Sequence, residues 1–132
     1  DLNGDGVPDL VVGDEEAGTY IYYGADGRAF APPLELGPRG TTPYSIAIAD
    51  LNRDGTPDIV VGNFEAPGAV FWNAGGGARR TFTETHWGDG KGAVYGVAIG
   101  DLDGDGWLDI VAARSDAPNA VWFSGPVPLP RH

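Results

Sequence analysis

Apolar residues in this chain come in short runs, cut at regular intervals by glycine, proline and aspartate. Residues 44–49 (YSIAIA) and 94–100 (VYGVAIG) are nearly all apolar and rich in β-branched side chains, the pattern of strands buried on both faces. Residues 10–13, 59–62 and 110–113 form a second set of the same character. A third set is aromatic: YIYY at 20–23, AVFW at 69–72 and AVWF at 120–123. The pattern predicts a fourth, outer strand near residues 30–36 and 82–87, where Pro32 and Pro33 fit only an edge position. No segment sustains a helical period, and 22 glycines with 11 prolines would break one.

The elements repeat as a unit. DLNGDGVPDLVVG from Asp1, DLNRDGTPDIVVG from Asp50 and DLDGDGWLDIVAA from Asp101 align without gaps, spaced 49 and 51 residues apart. The aromatic runs keep the same offset downstream of each motif. Four strands in a unit of about 50 residues match a β-propeller blade, which cannot bury both faces alone and must stack on neighbours. The expectation is an all-β chain of three consecutive four-stranded repeats: 1–49, 50–100 and an incomplete 101–132. The inner strand equivalent to 44–49 and 94–100 is missing ahead of Asp1, and the tail from Gly125 (GPVPLP) suits only an edge strand. Three blades fall short of the four to eight that close a propeller, so flanking blades or a homo-oligomer are expected to complete it. Two copies would give six.

Charge now sharpens the picture. The net charge is −11, and ten of the 19 acidic residues lie in the three nine-residue loops that start at Asp1, Asp50 and Asp101. The other nine nearly balance eight Lys and Arg. Clustered carboxylates repel unless a cation lies between them. Positions 1, 3, 5 and 9 carry oxygen side chains: Asp1, Asn3, Asp5 and Asp9; Asp50, Asn52, Asp54 and Asp58; Asp101, Asp103, Asp105 and Asp109. Position 6 is always glycine, which permits the positive φ needed to curl a backbone round an ion. The carbonyls of Val7, Thr56 and Trp107 at position 7 can add a ligand. Hard oxygen donors in this number suit Ca²⁺, whereas Mg²⁺ demands a tighter octahedron. An EF-hand needs Glu at position 12 and flanking helices; here position 12 is Val12, Val61 or Ala112, and the flanks are strands. The closing carboxylate stands at position 9 and is expected to coordinate bidentately, while Arg53 at position 4 points away from the ion.

The motif D-[LF]-[ND]-x-D-G-x-x-D followed by an apolar strand resembles the FG-GAP repeats of integrin α-subunit propellers and the related VCBS repeats of bacterial surface and secreted proteins. The resemblance covers all three units. It implies a propeller with calcium held in the hairpin between the first and second strands of each blade. Leu108 stands where the other loops have Pro8 and Pro57, a departure that touches no ligand.

Little else carries chemistry. His86 falls on an outer strand, His132 is the last residue, and GDGKG at 88–92 lacks the Ser or Thr of a phosphate loop. No disulfide or thiolate site is possible without cysteine, and no basic patch suits nucleic acid. No run of 18 apolar residues could form a membrane-spanning helix. The chain opens inside a motif and so reads as a segment of a longer protein. Trp72, Trp122, Tyr22 and Tyr23 read as packing between blades, whereas Trp107 is expected to project into solvent, with Trp87 a weaker candidate of the same kind. The expected function is a non-enzymatic, calcium-binding adhesion, protein-interaction or scaffold module, extracellular, cell-surface or periplasmic, with a protein or glycan ligand. The alternatives are a calcium-dependent, lectin-like propeller and an accessory domain of a secreted enzyme.

Overall fold

The computed structural model describes residues 1–37, 40–75 and 81–125. His132 and the tail beyond Gly125 lie outside them. Among the described residues every regular element is a strand, and all pairing is antiparallel.

The first sheet holds β1 (Leu10–Asp14), β2 (Gly18–Tyr22) and β5 (Leu34–Leu36), in the order β1-β2-β5. A small hairpin of β3 (Gly24–Ala25) and β4 (Ala29–Phe30) stands apart from it. The second sheet is a full blade, β6 (Pro43–Ala49), β7 (Asp58–Asn63), β8 (Gly68–Asn73) and β9 (Phe82–Trp87), paired in chain order. The third sheet holds β10 (Ala93–Gly100), β11 (Asp109–Ser115) and β12 (Ala120–Trp122). Sheet and sequence period are out of phase. The inner strand β6 closes the first sequence repeat yet pairs with β7 of the second.

The outer strand expected over 82–87 is β9. The one expected over 30–36 is broken in two, because Pro32 and Pro33 lie between β4 and β5 and belong to neither strand. A proline has no N–H to donate, so the ladder resumes only at Leu34, which pairs with Ile21.

Two apolar layers form between the three sheets. Every residue of β7 is buried, as a strand flanked on both faces requires. Its alternate residues divide between the layers. Ile59 and Val61 join Leu2, Ile21 and Leu36 of the first repeat, with Ala69 and Phe71. Val60 joins Leu51, Val70 and Trp87 against Val94, Ile110 and Ala112 of the third sheet. The strand period of two therefore sorts one sequence run into two cores. Close approach leaves no room for a side chain at Gly62, where a Cβ would sit 2.4 Å from Val94 Cγ1 and 2.6 Å from Ser45 Oγ. Ser45 Oγ donates to the Val94 carbonyl (3.0 Å) across the same gap.

Candidate metal centres

Loops 2 (50–58) and 3 (101–109) each close a β-hairpin. Ala49 faces Asp58 in the β6–β7 register, and Gly100 faces Asp109 in β10–β11. The residue just before each loop is thus opposite its last residue, so nine residues must turn in a tight ring. Gly6, Gly55 and Gly106 at position 6 have φ of 84°, 87° and 89°, as the sequence required. Position 4 is also left-handed. Gly4 and Gly104 adopt φ 74° and 77°, and Arg53 adopts the same region at φ 60°.

Side-chain oxygens fill the ring with hydrogen bonds from its own backbone. Asp1 accepts from the N–H of Gly4 (2.6 Å) and Gly6 (2.8 Å). Asp50 accepts from Asp54 (3.1 Å) and Gly55 (2.9 Å), and Asp101 from Gly104 (2.8 Å) and Gly106 (2.9 Å). At position 5, Asp5, Asp54 and Asp105 accept from the N–H of Val7, Thr56 and Trp107, each at 2.8 Å. Asn3, Asn52 and Asp103 accept from the N–H of position 5 at 3.2, 3.2 and 3.1 Å. The Thr56 hydroxyl lies 2.6 Å from Asp54 Oδ1 and 2.9 Å from the Asn73 carbonyl oxygen.

The closing carboxylate has a further task that the sequence motif did not suggest. Its Oδ2 accepts the N–H of position 2 (Leu2, Leu51 or Leu102, at 2.6, 3.0 and 2.8 Å). Its Oδ1 accepts an N–H just beyond the third strand, or at its last residue: Gly24, Asn73 or Ser124, each at 2.9 Å. Asp9, Asp58 and Asp109 therefore brace the loop entrance to the neighbouring strand. A carboxylate has about four acceptor positions, so two N–H bonds leave capacity for an ion. Asp58 and Asp109 are fully buried. Burial pushes the Asp58 carboxyl up to about 6, against the N–H bonds from Asn73 and Leu51, with the Asp54 and Asp50 charges adding to the rise.

Loop 3 differs from its counterparts. In loops 1 (1–9) and 2 the position-3 amide donates to position 5, Asn3 to Asp5 (2.9 Å) and Asn52 to Asp54 (3.0 Å). Asp103 has no such N–H₂. The Asp105 N–H bond lowers the Asp103 carboxyl, but desolvation and the Asp105 and Asp109 charges outweigh it and leave it raised. Asp101, Asp103 and Asp109 each offer an oxygen within 4.8 Å of the others. Two exposed carboxylates and one buried one, all hard oxygen donors, fit a Ca²⁺ ion in chemistry. Among the described residues no other group of acidic, histidine or cysteine ligands is this close.

The chain matches the FG-GAP-like repeat family twice, over residues 1–61 and again over 51–112. It belongs to the FG-GAP-like repeat family. The two matches overlap at loop 2 and take in all three loops, and the sheets they cover are antiparallel blades arrayed side by side, as in a β-propeller-like interaction module. No curated protein and no solved structure matches the chain significantly.

Around the FG-GAP loops two expectations about aromatics fail. Trp107 does not project into solvent. It is half-buried, with the Arg53 guanidinium carbon 5.3 Å from its ring centroid, because position 4 of loop 2 reaches over position 7 of loop 3. Trp87 is buried at 5% exposure and donates its indole N–H to the Ala69 carbonyl (3.2 Å). His86 is exposed beside Glu84. Asn73 is the residue that sequence reasoning missed. Fully buried at the end of β8, it donates its amide to the carbonyls of Leu2 (2.8 Å) and Pro57 (3.1 Å) and so ties two loops together. Its only sequence signal was its place, equivalent to Gly24 and Ser124.

Proposed function

We propose that this FG-GAP chain is a non-enzymatic, calcium-binding interaction module of the adhesion or scaffold type, working outside the cell or in the periplasm, with one Ca²⁺ ion in each of three loops. The observation that carries the reading is the recurrence of one hydrogen-bonded ring in loops 1, 2 and 3. In each ring the side chains of positions 1, 3 and 5 accept N–H bonds from a backbone wound by a left-handed glycine and position 9 braces the ring, and in loop 3 the oxygens of Asp101, Asp103 and Asp109 come within 4.8 Å of one another. Asp1, Asn3, Asp5 and Asp9, with the Val7 carbonyl, would hold the first ion; Asp50, Asn52, Asp54 and Asp58, with the Thr56 carbonyl, the second; Asp101, Asp103, Asp105 and Asp109, with the Trp107 carbonyl, the third.

The ion would supply positive charge among three or four carboxylates that otherwise repel. The chain's own residues do the rest. The position-9 carboxylate joins loop to blade, and Arg53 over Trp107 joins loop to loop, so order in the rings is passed to the blade edges. Modules outside the cell bind calcium at roughly 10⁻⁴–10⁻³ M, a range in which extracellular calcium keeps them loaded. Trp107 is half-buried under Arg53 and Trp87 is buried, so neither is the open stacking platform a lectin-like reading would use, and the protein-interaction reading is preferred.

Thermal melting with and without chelator tests this directly. Saturating Ca²⁺ at 100 times its dissociation constant should add about 2.7 kcal/mol per site by mass action, and EDTA should remove it. A melting temperature indifferent to both would reject the role given to the loops.

A further inference from the structure

Arg53 departs from the pattern of its counterparts. It occupies position 4 of loop 2, where loops 1 and 3 have Gly4 and Gly104, and its φ of 60° falls in the same left-handed region as their 74° and 77°. Glycine adopts that region freely, and a β-carbon resists it. The side chain leaves its own loop and lies on the next. Its guanidinium carbon is 5.3 Å from the Trp107 ring centroid. The same group packs on Gly106, where an added Cβ would meet Arg53 Nη2 at 3.2 Å. Gly106 is half-buried, whereas Gly6 and Gly55 at the equivalent position are exposed.

Both ends of this contact lie among candidate ligands. In loop 2, Arg53 sits between Asn52 and Asp54 at positions 3 and 5. In loop 3, Gly106 donates its N–H to Asp101 (2.9 Å) and Trp107 donates its N–H to Asp105 (2.8 Å). Trp107 also carries the position-7 carbonyl. Loop 1 has Gly4 at position 4 and offers loop 2 no such side chain; those two loops are joined through Asn73 instead.

We propose that Arg53 is a positioning residue shared by the second and third metal centres, so that loops 2 and 3 bind Ca²⁺ cooperatively, each raising the affinity of the other about two- to fivefold, the worth of an exposed cation–π contact. Holding Asn52 and Asp54 fixes Arg53 between them, and a fixed guanidinium holds the backbone of Gly106 and Trp107 in place. The second loop to fill then finds part of its ordering already done. Repulsion between the guanidinium and either ion opposes this, but Arg53 is exposed, and salt and water screen that repulsion. The proposal rests on the calcium reading, which does not itself require the loops to be coupled.

The test is a Ca²⁺ titration of the chelator-treated chain followed by two-dimensional amide NMR, in which the N–H groups of Gly55 and Gly106 report loops 2 and 3 separately. Loop 3 is disabled by Asp101→Asn, or by Asp103→Ala if the first variant loses its sheet. With Arg53 present, that loss should weaken loop 2 about two- to fivefold. In an Arg53→Gly background, which keeps the position-4 backbone of loops 1 and 3, the loop 2 midpoint should not move. Arg53→Lys, a cation without the planar fork, should restore part of the coupling. Equal shifts in the Arg53 and Gly backgrounds, or none in either, would overturn the proposal and leave calcium binding intact. Loops whose amides ignore Ca²⁺ altogether would reject the calcium reading, and the proposal with it. A calcium-free measurement checks the contact itself: in chelator, Arg53→Gly should move the Trp107 indole N–H resonance, identified by its loss in Trp107→Phe. A resonance that stays in place would overturn the proposal whatever the titration gives.

Discussion

Asn73 joins two repeats through one amide. Its Nδ2 serves the Leu2 and Pro57 carbonyls, and its N–H serves Asp58. Asn73→Ala removes both side-chain donors and leaves two carbonyls without them, a loss of about 1–3 kcal/mol. Asn73→Ser should recover part of that loss, because Ser124 in the equivalent place donates its hydroxyl to Leu108 (2.7 Å). Urea unfolding of the three proteins checks the order; an alanine variant as stable as wild type would contradict the role. Asp58 sets a pH dependence. Its carboxyl is higher in the folded protein, at about 6, than its ordinary value of 3.8. Such a group supports the calcium-free fold fully below the lower value and withdraws that support as pH rises through about 6. Calcium requires the ionised form and restores what ionisation removes. The calcium-induced rise in melting temperature should therefore be larger at about pH 7.5 than at about pH 5. An equal rise at both would show that Asp58 is not engaged.

At the level of the element, the loops are three versions of one device and should not bind alike. Loop 3 carries four carboxylates, and loops 1 and 2 carry three with an amide at position 3. Affinity rises with ligand charge, so loop 3 should fill first. Asp103→Asn would convert it to the pattern of the others and weaken it on the order of tenfold, about 1.4 kcal/mol. Trp107, inside loop 3, reports the titration by its fluorescence; an unchanged midpoint in Asp103→Asn would contradict the ranking. These loops were legible in the sequence because their chemistry is local: alternation, a glycine and a closing carboxylate all lie within nine residues. Strand β9 was legible too, since its run is uninterrupted. Strand β5 was legible in position but not in extent, because the prolines end one strand and delay the next. The cover over Trp107 comes from Arg53, 54 positions earlier, and no local pattern announces a contact made by the stacking of two hairpins. Asn73 escaped notice for the same reason, since one of its two amide donor bonds goes to another repeat.

Across the whole molecule, the FG-GAP family assignment and the open array of blades fit one physical account. Each blade is too thin to bury both faces, and among the described strands only β7, with blades on either side, is buried throughout. Stacking is therefore what folds the chain, and the acidic loops are tied into the stack through Asn73 on Leu2 and Arg53 over Trp107. In the proposed reading that arrangement would tie calcium to the stability of the stack and make the ion structural. Isothermal titration calorimetry of the chelator-treated chain with Ca²⁺ tests this claim most directly. The account predicts three ions per chain, falling to two in Asp58→Ala, where the brace of loop 2 is gone. Saturation without measurable binding, or a stoichiometry of three that Asp58→Ala leaves unchanged, would contradict it.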